Sequence, residues 1–482
     1  MAEATSSTSA PAAERPAALA PIPAEVWRVA WVIVFGAFMA NLDTSLVNVG
    51  LDTISRDLHG SLSSAQWVTS GYLLALAAAL PACAWLSRHF GTGRLWMYAL
   101  TGFTITSALC AAAPNLPALI VLRVAQGITG GLLVPAGQSV LGRAAGPGRM
   151  GRVMNGVGIA VVLAPALGPA IGGLLIHTLS WRWLFLVNVP VGVITLARGL
   201  RHVPRGERGA AGPFDVTGFA LVAGGLPLVV YGITVASQRG TPTSTVVLAT
   251  LIPGALALAA FAWWSLRSRA PLLNLRLLGN QVYAAATTSV FFTGAALFGG
   301  LIILPLYYQL YRHESVVATG LLLLSYGAGA AFSMPVGGRL TDRIGGGRTA
   351  VAGLAVTLAA TVPFVVLDAN ASMAGVEALQ FFRGIGIGLA GIPAMSAAYA
   401  SVGKEHLPDA AAQVNIFQRV GGALGSALFV VILDNHGVSS TAAFHATFWC
   451  ITGAGVLALI SAVRLASKQR GPARVEARPA KA

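Results

Sequence analysis

Apolar runs of roughly twenty residues recur along nearly the whole of this 482-residue chain, and each is long enough to cross a hydrocarbon layer about 30 Å thick. That one feature excludes an ordinary water-soluble fold. Composition agrees: 55% of the residues are hydrophobic and only 10% are charged, against about a quarter charged in a soluble domain. So few polar groups could not cover the surface of a soluble protein of this size. The 57 glycines suit helices that approach one another closely in lipid. The expected class is an all-α polytopic membrane protein.

The apolar runs between charged or Gly/Pro-rich breaks give fourteen expected transmembrane helices. The first six are 27–50, 66–86, 95–113, 117–140, 152–176 and 184–200. Two follow at 215–235 and 244–265. The last six are 283–308, 316–338, 348–367, 373–400, 410–433 and 441–465. Basic residues support this count. With a cytoplasmic N-terminus, the inner loops hold Arg88, Arg94, Arg143, Arg149 and Arg152, then Arg198, Arg201, Arg205, Arg208, Arg267, Arg269 and Arg276. Arg339, Arg343, Arg348 and Lys404 follow, and the tail adds Arg464, Lys468, Arg470, Arg474, Arg478 and Lys481. The outer loops hold Arg56, Arg182, Arg239 and Arg312. Such a bias places both termini in the cytoplasm of a multi-pass bacterial inner-membrane protein and demands an even number of spans.

The net charge of +15 is thereby read as a topology signal, and nucleic acid is not expected as a partner. The bilayer and a small molecule are, with the protein as a monomer. Residues 1–26 form an Ala-, Ser- and Pro-rich tail expected to be disordered, without a signal-peptide core. Residues 466–482 form a basic C-terminal tail. The cysteines Cys83, Cys110 and Cys450 lie in apolar runs with no metal-ligand or disulfide spacing, so no metal or other cofactor is expected. There is no G-x-x-x-x-G-K-[ST] loop and no soluble stretch large enough for a nucleotide-binding domain. The energy source is then an ion gradient or the membrane potential, which supplies about 2.3 kcal/mol per charge per 100 mV.

The chain repeats internally. Gly338-Arg339-Leu340-Thr341-Asp342-Arg343-Ile344-Gly345 aligns with Ala84-Trp85-Leu86-Ser87-Arg88-His89-Phe90-Gly91 at a shift of 254 residues, and Arg383 aligns with Arg123 at a shift of 260. Two six-helix bundles, 27–200 and 283–465, are expected around a linker, 201–282, that carries the two inserted helices. Parallel repeats of this kind place the substrate site at the interface between the halves.

Four strings carry chemistry. Asn41-Leu42-Asp43-Thr44-Ser45 puts a carboxylate inside a span, at a cost of roughly 2.5–3.5 kcal/mol when ionised. Either Asp43 carries a proton or it only hydrogen-bonds Asn41, Thr44 or Asn48. Leu122-Arg123-Val124-Ala125-Gln126-Gly127 puts an arginine inside a span, where it must face a partner or a water-filled cavity. Burial disfavours a charged carboxylate and a nearby cation favours it, so the two terms together can set a group that loads and releases protons. Gly168-Pro169-Ala170-Ile171-Gly172-Gly173 combines a helix-kinking proline with glycines that permit close packing. Trp181-Arg182-Trp183-Leu184-Phe185-Leu186-Val187-Asn188-Val189-Pro190-Val191-Gly192 opens the sixth span with interfacial tryptophans, and its plain reading is an anchor.

From about Trp31 to Arg464 the sequence resembles the fourteen-helix drug:proton antiporter branch of the major facilitator superfamily, the EmrB/QacA type. The resemblance implies two six-helix bundles plus two inserted helices, and proton-driven efflux of small hydrophobic or cationic organic compounds such as antibiotics by alternating access. It assigns proton coupling to Asp43 and Arg123 and an antiporter role to Gly168, Pro169, Gly172 and Gly173. It assigns the loop Asp of G-x-L-x-D-R-x-G to a charged latch between the halves. The first copy of that loop departs from the pattern, with Ala84, Arg88 and His89 at family positions for Gly, Asp and Arg. The second copy keeps Asp342 and Arg343, so gating is expected to rest on those two.

Glu377, Arg383, Gln413, Asn415 and Arg419 are further polar groups in spans. They form either a second ion or substrate site or, for Glu377, a pair with Arg383. Asp215 is expected to be solvated or to cap a helix. The substrate contacts expected in an apolar cavity are drawn from Phe38, Asn41, Trp67, Tyr72, Phe291, Phe292, Tyr307, Tyr308 and Phe417. The rival functions are export of one specific metabolite, such as a natural product, siderophore or peptide, and more remotely a channel or a membrane enzyme. No clustered catalytic set is visible, so a secondary active transporter is expected rather than an enzyme.

Overall fold

A computed structural model describes residues 21–146, 149–209, 211–239, 244–368, 371–435 and 440–469. The expected tails lie largely outside these residues, including Arg470, Arg474, Arg478 and Lys481. The helices are α1 (Ala24–Asp57), α2 (Leu62–Ala79), α3 (Ala82–Phe90), α4 (Thr92–Ala111), α5 (Leu116–Ala145), α6 (Met150–Thr178), α7 (Trp183–Leu186) and α8 (Asn188–His202). Then follow α9 (Val216–Arg239), α10 (Thr245–Arg267), α11 (Gln281–Leu306), α12 (Val316–Ile344), α13 (Gly346–Thr361), α14 (Met373–Ala400), α15 (Leu407–Asn435) and α16 (Thr441–Lys468). Among the described residues, eleven helices are long and apolar enough to cross a membrane, and the bent pair α2 and α3 raises this to twelve. α4 and α6 are helices of 20 and 29 residues beside them.

Among the described residues one expected span is broken, and another holds a one-residue interruption of its helix. The 66–86 span is two helices meeting at about 60°, with Pro81 between them as the N-cap of α3, where its missing N–H and ring interrupt the ladder. The 184–200 span begins as the short turn α7 and continues as α8. Local caps set several other starts. Asn115, Ser61, Ser244, Ser315 and Ser440 each accept a backbone N–H of the first turn, as side-chain caps do. Asp215 does the same for Gly218 at the head of α9, at 2.8 Å, and its oxygens also accept from Trp264 Nε1 and the Leu272 N–H.

Packing repeats along the chain. α1 packs on α6, α2 on α5, and α4 on α5 and α8. Correspondingly, α11 packs on α15, α12 on α14, and α13 on α14 and α16. The sets meet where α12 lies on α6 and where α15 lies on α5 and α3. The α9–α10 pair sits to one side, with α9 touching both α2 and α15. The backbone keeps the repeat too: Gly91 and Gly345, 254 residues apart, close their loops at φ +88° and +92°. Few residues other than glycine tolerate that conformation, which explains why both copies end on glycine although they share only one other residue, Leu86 and Leu340.

Candidate functional site

Asp43 and Arg123 are brought together in the core between α1 and α5, both at 0% exposure. Arg123 Nη1 donates to Asp43 Oδ2 at 2.6 Å. The other carboxylate oxygen accepts from Asn188 Nδ2 at 2.8 Å and from Gln126 Nε2 at 3.3 Å. Arg123 also donates to the Gln126 carbonyl at 2.7 Å and to the Val68 backbone carbonyl at 3.0 Å. Its guanidinium lies 4.1 Å from the centroid of the Tyr72 ring, a cation–π contact strengthened by desolvation. Asn188 is held in turn by donating to Ser107 Oγ at 3.0 Å. The acid thus has one charged partner and two amide donors. The expected bonding of Asp43 to Asn41, Thr44 or Asn48 is replaced: Asn41 and Thr44 turn back to carbonyls of their own helix, and Asn48 accepts from Thr69.

Gln126 and Asn188 are residues that sequence reasoning quoted but did not assign. Gln126 lies one turn from Arg123 on the same helix face, where i and i+3 side chains meet. Asn188 sits inside the aromatic string read as an anchor; a buried amide in a span must find a partner, and that was the available signal.

The arginine of the second half has no such partner. Arg383 is buried and donates to Gln380 Oε1 at 2.8 Å and to Thr361 Oγ1 at 3.1 Å. No acid pairs with it among the described residues. The expected Glu377–Arg383 pair does not form. Six residues on a helix place side chains about 240° apart and 9 Å along the axis, so Glu377 instead accepts from Tyr308 at 2.7 Å and from Ser325. Nor do the five residues of the expected second site gather. Gln413 accepts from Tyr283 and donates to the Asn274 carbonyl, Asn415 reaches Gln138, and Arg419 is half-buried one turn further along α15.

Two ion pairs bind the halves at the end carrying the basic loops. Arg152 Nε donates to Asp342 Oδ2 at 2.6 Å, and the Gly151 N–H donates to Asp342 Oδ1 at 2.9 Å. Arg88 Nη1 donates to Asp409 Oδ2 at 2.6 Å, and the Asn274 N–H donates to Asp409 Oδ1 at 3.2 Å. The diverged loop has therefore not lost its contact; it reaches the other half with the opposite charge. Between these pairs, Gln138 Oε1 of α5 accepts from Tyr399 of α14 at 2.9 Å and from Asn415 of α15 at 2.6 Å. Arg343 is exposed.

The glycine string has a local purpose. α6 is helical through residue 169. A Cβ on Gly168 would stand 2.0 Å from Ser45 Oγ, and one on Gly172 would touch Leu46 and Val49. Both glycines thus seat α6 on α1 within the turns that follow Asp43. Gly173 faces open space.

The aromatic candidates divide. Tyr72, Tyr307 and Tyr308 are sealed at 0–1% exposure, Tyr72 beneath Arg123 and Tyr307 among Tyr311, Phe364, Phe444 and Phe448. In this conformation they line no opening. Phe38 and Phe292 are half-buried against core clusters, and Phe291 packs edge-to-face on Phe292. Phe417 is half-buried on α15. Trp67 is 43% exposed, stacks on Tyr231 of α9, and helps line a cleft of about 560 Å³ with Leu58, His59, Ser64, Asn115 and Ile120.

The sequence matches the Major Facilitator Superfamily over residues 33–426, with a second match over 303–482. It is 35% identical over 411 residues to the multidrug resistance protein B homolog of Mycobacterium tuberculosis strain H37Rv, covering 84% of this chain and 76% of that one. It is 32% identical over 416 residues to the tetracenomycin C resistance and export protein of Streptomyces glaucescens, with the same two coverages of 84% and 76%. The fold superposes on the proton:xylose symporter XylE with a TM-score of 0.63 at 14% identity, over 91% of this chain and 95% of that one.

Proposed function

The chain belongs to the Major Facilitator Superfamily, and from that premise we propose that it exports small, largely apolar organic compounds, antibiotics among them, in exchange for protons. It is a multi-pass membrane transporter; the direction, the coupling ion and the branch are the proposal. Relatives named for drug resistance and antibiotic export support the direction. The fourteen-helix EmrB/QacA branch is supported by α9 and α10 between the repeated sets, and by α4 and α6 completing each expected span. In this reading the bundles are 27–200 and 283–465, both termini are cytoplasmic, and the bacterial inner membrane is the site.

The observation that carries the coupling is the carboxylate of Asp43 at 0% exposure, held by Arg123, Asn188 and Gln126. An ionised acid with a single cationic partner in a dry core is stable, but a proton arriving there removes the attraction and leaves the cation buried alone. Protonation from outside and release inside would then tie the charge state to rocking of the halves. With the ends bearing Arg88 and Arg152 bolted, the conformation described is closed on the cytoplasmic side.

The test is dye efflux from expressing cells with and without a protonophore, using a panel that includes fluorescein and tetramethylrhodamine methyl ester. Protonophore-sensitive efflux that disappears in Asp43→Asn is the expected result. Efflux indifferent to the protonophore would remove antiport, and full coupled efflux by Asp43→Asn would remove the assignment of Asp43. The tetracenomycin C relative is named for one compound, so a narrow exporter of a single metabolite is the second reading; a panel with one responsive compound would favour it.

A further inference from the structure

Within the exporter reading, the charge left open between the halves selects the substrate's own charge. Asn415 and Arg419 lie four residues apart on α15 and so share one helix face. Asn415 donates to Gln138 of α5 at 2.6 Å, which turns that face toward the first half. The opposite side of α15 is committed to α11: a Cβ on Gly421 or Gly425 would meet the backbone of Phe291 or Ala295. Arg419 stands one turn beyond the Asn415–Gln138 bridge on that same face. It is half-buried at about 18 Å along α15 from Leu407, near the middle of a hydrocarbon layer about 30 Å thick.

No carboxylate pairs with Arg419 among the described residues. Asp43 is paired with Arg123, Asp342 with Arg152 and Asp409 with Arg88, while Glu377 is held by the hydroxyls of Tyr308 and Ser325. An open carboxylate would favour a cationic substrate, and Asp43, paired with Arg123 in the first half, is fully enclosed. Arg383, with only Gln380 and Thr361 as partners, adds a second positive charge to the same half without an acid. An arginine in a span faces a partner or water because lipid is costly, and its planar fork suits an oxyanion.

We propose that the transported compound is an amphipathic organic anion, an apolar or aromatic body bearing a carboxylate, sulfonate or ionised phenol, and that its anionic group docks on Arg419 between the halves. This rests on the exporter reading for the word "transported"; the binding claim stands alone. The test is equilibrium binding to the purified full chain in nanodiscs of neutral lipid, by fluorescence anisotropy in mildly alkaline buffer. Fluorescein is the anionic probe and tetramethylrhodamine methyl ester the cationic one, on the same xanthene ring. Wild type is expected to prefer fluorescein by roughly tenfold or more, the scale of one charged hydrogen-bonded contact. Arg419→Gln is expected to lose that preference, and Arg419→Lys to recover part of it. Equal or stronger binding of the cation by wild type overturns the proposal whatever the variants do. So does undiminished fluorescein binding by a folded Arg419→Gln. Fluorescein displaced by chloride at physiological concentration, but not by gluconate, would make the occupant an inorganic anion and also overturn it. Because the assay needs no gradient, loss of protonophore-sensitive efflux with anion binding intact would sink the coupling scheme and support this site.

Discussion

Replacing Arg88 by alanine is expected to open the cytoplasmic end of the transporter. Arg88 Nη1 and Asp409 Oδ2 are 2.6 Å apart, and the Asp409 side chain is only 2% exposed. Removing the arginine leaves a buried carboxylate with one remaining donor, the Asn274 N–H. Stripping one partner from a buried pair costs about 3–5 kcal/mol. The Arg88 side chain is 29% exposed, so water already screens the pair and the lower end, about 3 kcal/mol, applies. Opening the interface relieves that cost by hydrating Asp409, so the closed state should lose roughly a hundredfold in population relative to the open one. The assay is distance measurement between spin labels at positions 198 and 404, with Cys83, Cys110 and Cys450 replaced by alanine. Arg88→Ala should shift the distribution to longer distances, and the swap Arg88→Asp with Asp409→Arg should restore the short one. A wild-type distribution in Arg88→Ala, or a swap as open as the single variants, would refute the latch.

Two further outcomes test the interior. Gly168→Ala places a methyl group 2.4 Å from Ser45 Cβ; overpacking of that order costs about 1–3 kcal/mol, so transport and melting temperature should both fall, and adding Ser45→Gly should recover part of each. Glu377→Gln should keep efflux protonophore-sensitive, because the side chain is held by Tyr308 and Ser325 rather than by a cation; an uncoupled Glu377→Gln would make it a second proton site.

The helices were legible because the bilayer imposes one length on every span, and among the described residues the 60° bend at Pro81 is the break that escaped the pattern. The Asp43–Arg123 pair was legible for a similar reason: two opposite charges in apolar spans have few places to go but each other. The Arg88–Asp409 pair was not, since its members are 321 residues apart and a reversed charge in a loop looks like decay when read on one strand alone. Tyr307 and Tyr308 show a different limit. An aromatic residue in a span satisfies a core, lipid or a cavity equally well, and the sequence around these two carries no period that separates the faces, whereas the structure seals them.

The two halves share a backbone plan but not a charge plan, and that difference can be engineered away. Arg123 has Asp43; Arg383 has neutral partners only. Facing Arg383 from α11, the helix that occupies the place of α1 in the second half, is Gly300, where an added Cβ would lie 3.4 Å from Arg383 Nη2 with Leu304 as its other neighbour at 4.0 Å. That is ordinary contact distance for a Cβ, and it places an aspartate side chain beside the guanidinium. A buried cation gaining an ionic partner loses the penalty of standing alone, so Gly300→Asp should raise the melting temperature of the purified transporter rather than lower it. It should also give Arg383 a titratable acid as its partner, and the number of protons moved per dye, read from pH changes in proteoliposomes, should rise. A lower melting temperature would mean that the added carboxylate gains no ionic partner in Arg383, and an unchanged proton count would mean that coupling does not respond to an acid at that place.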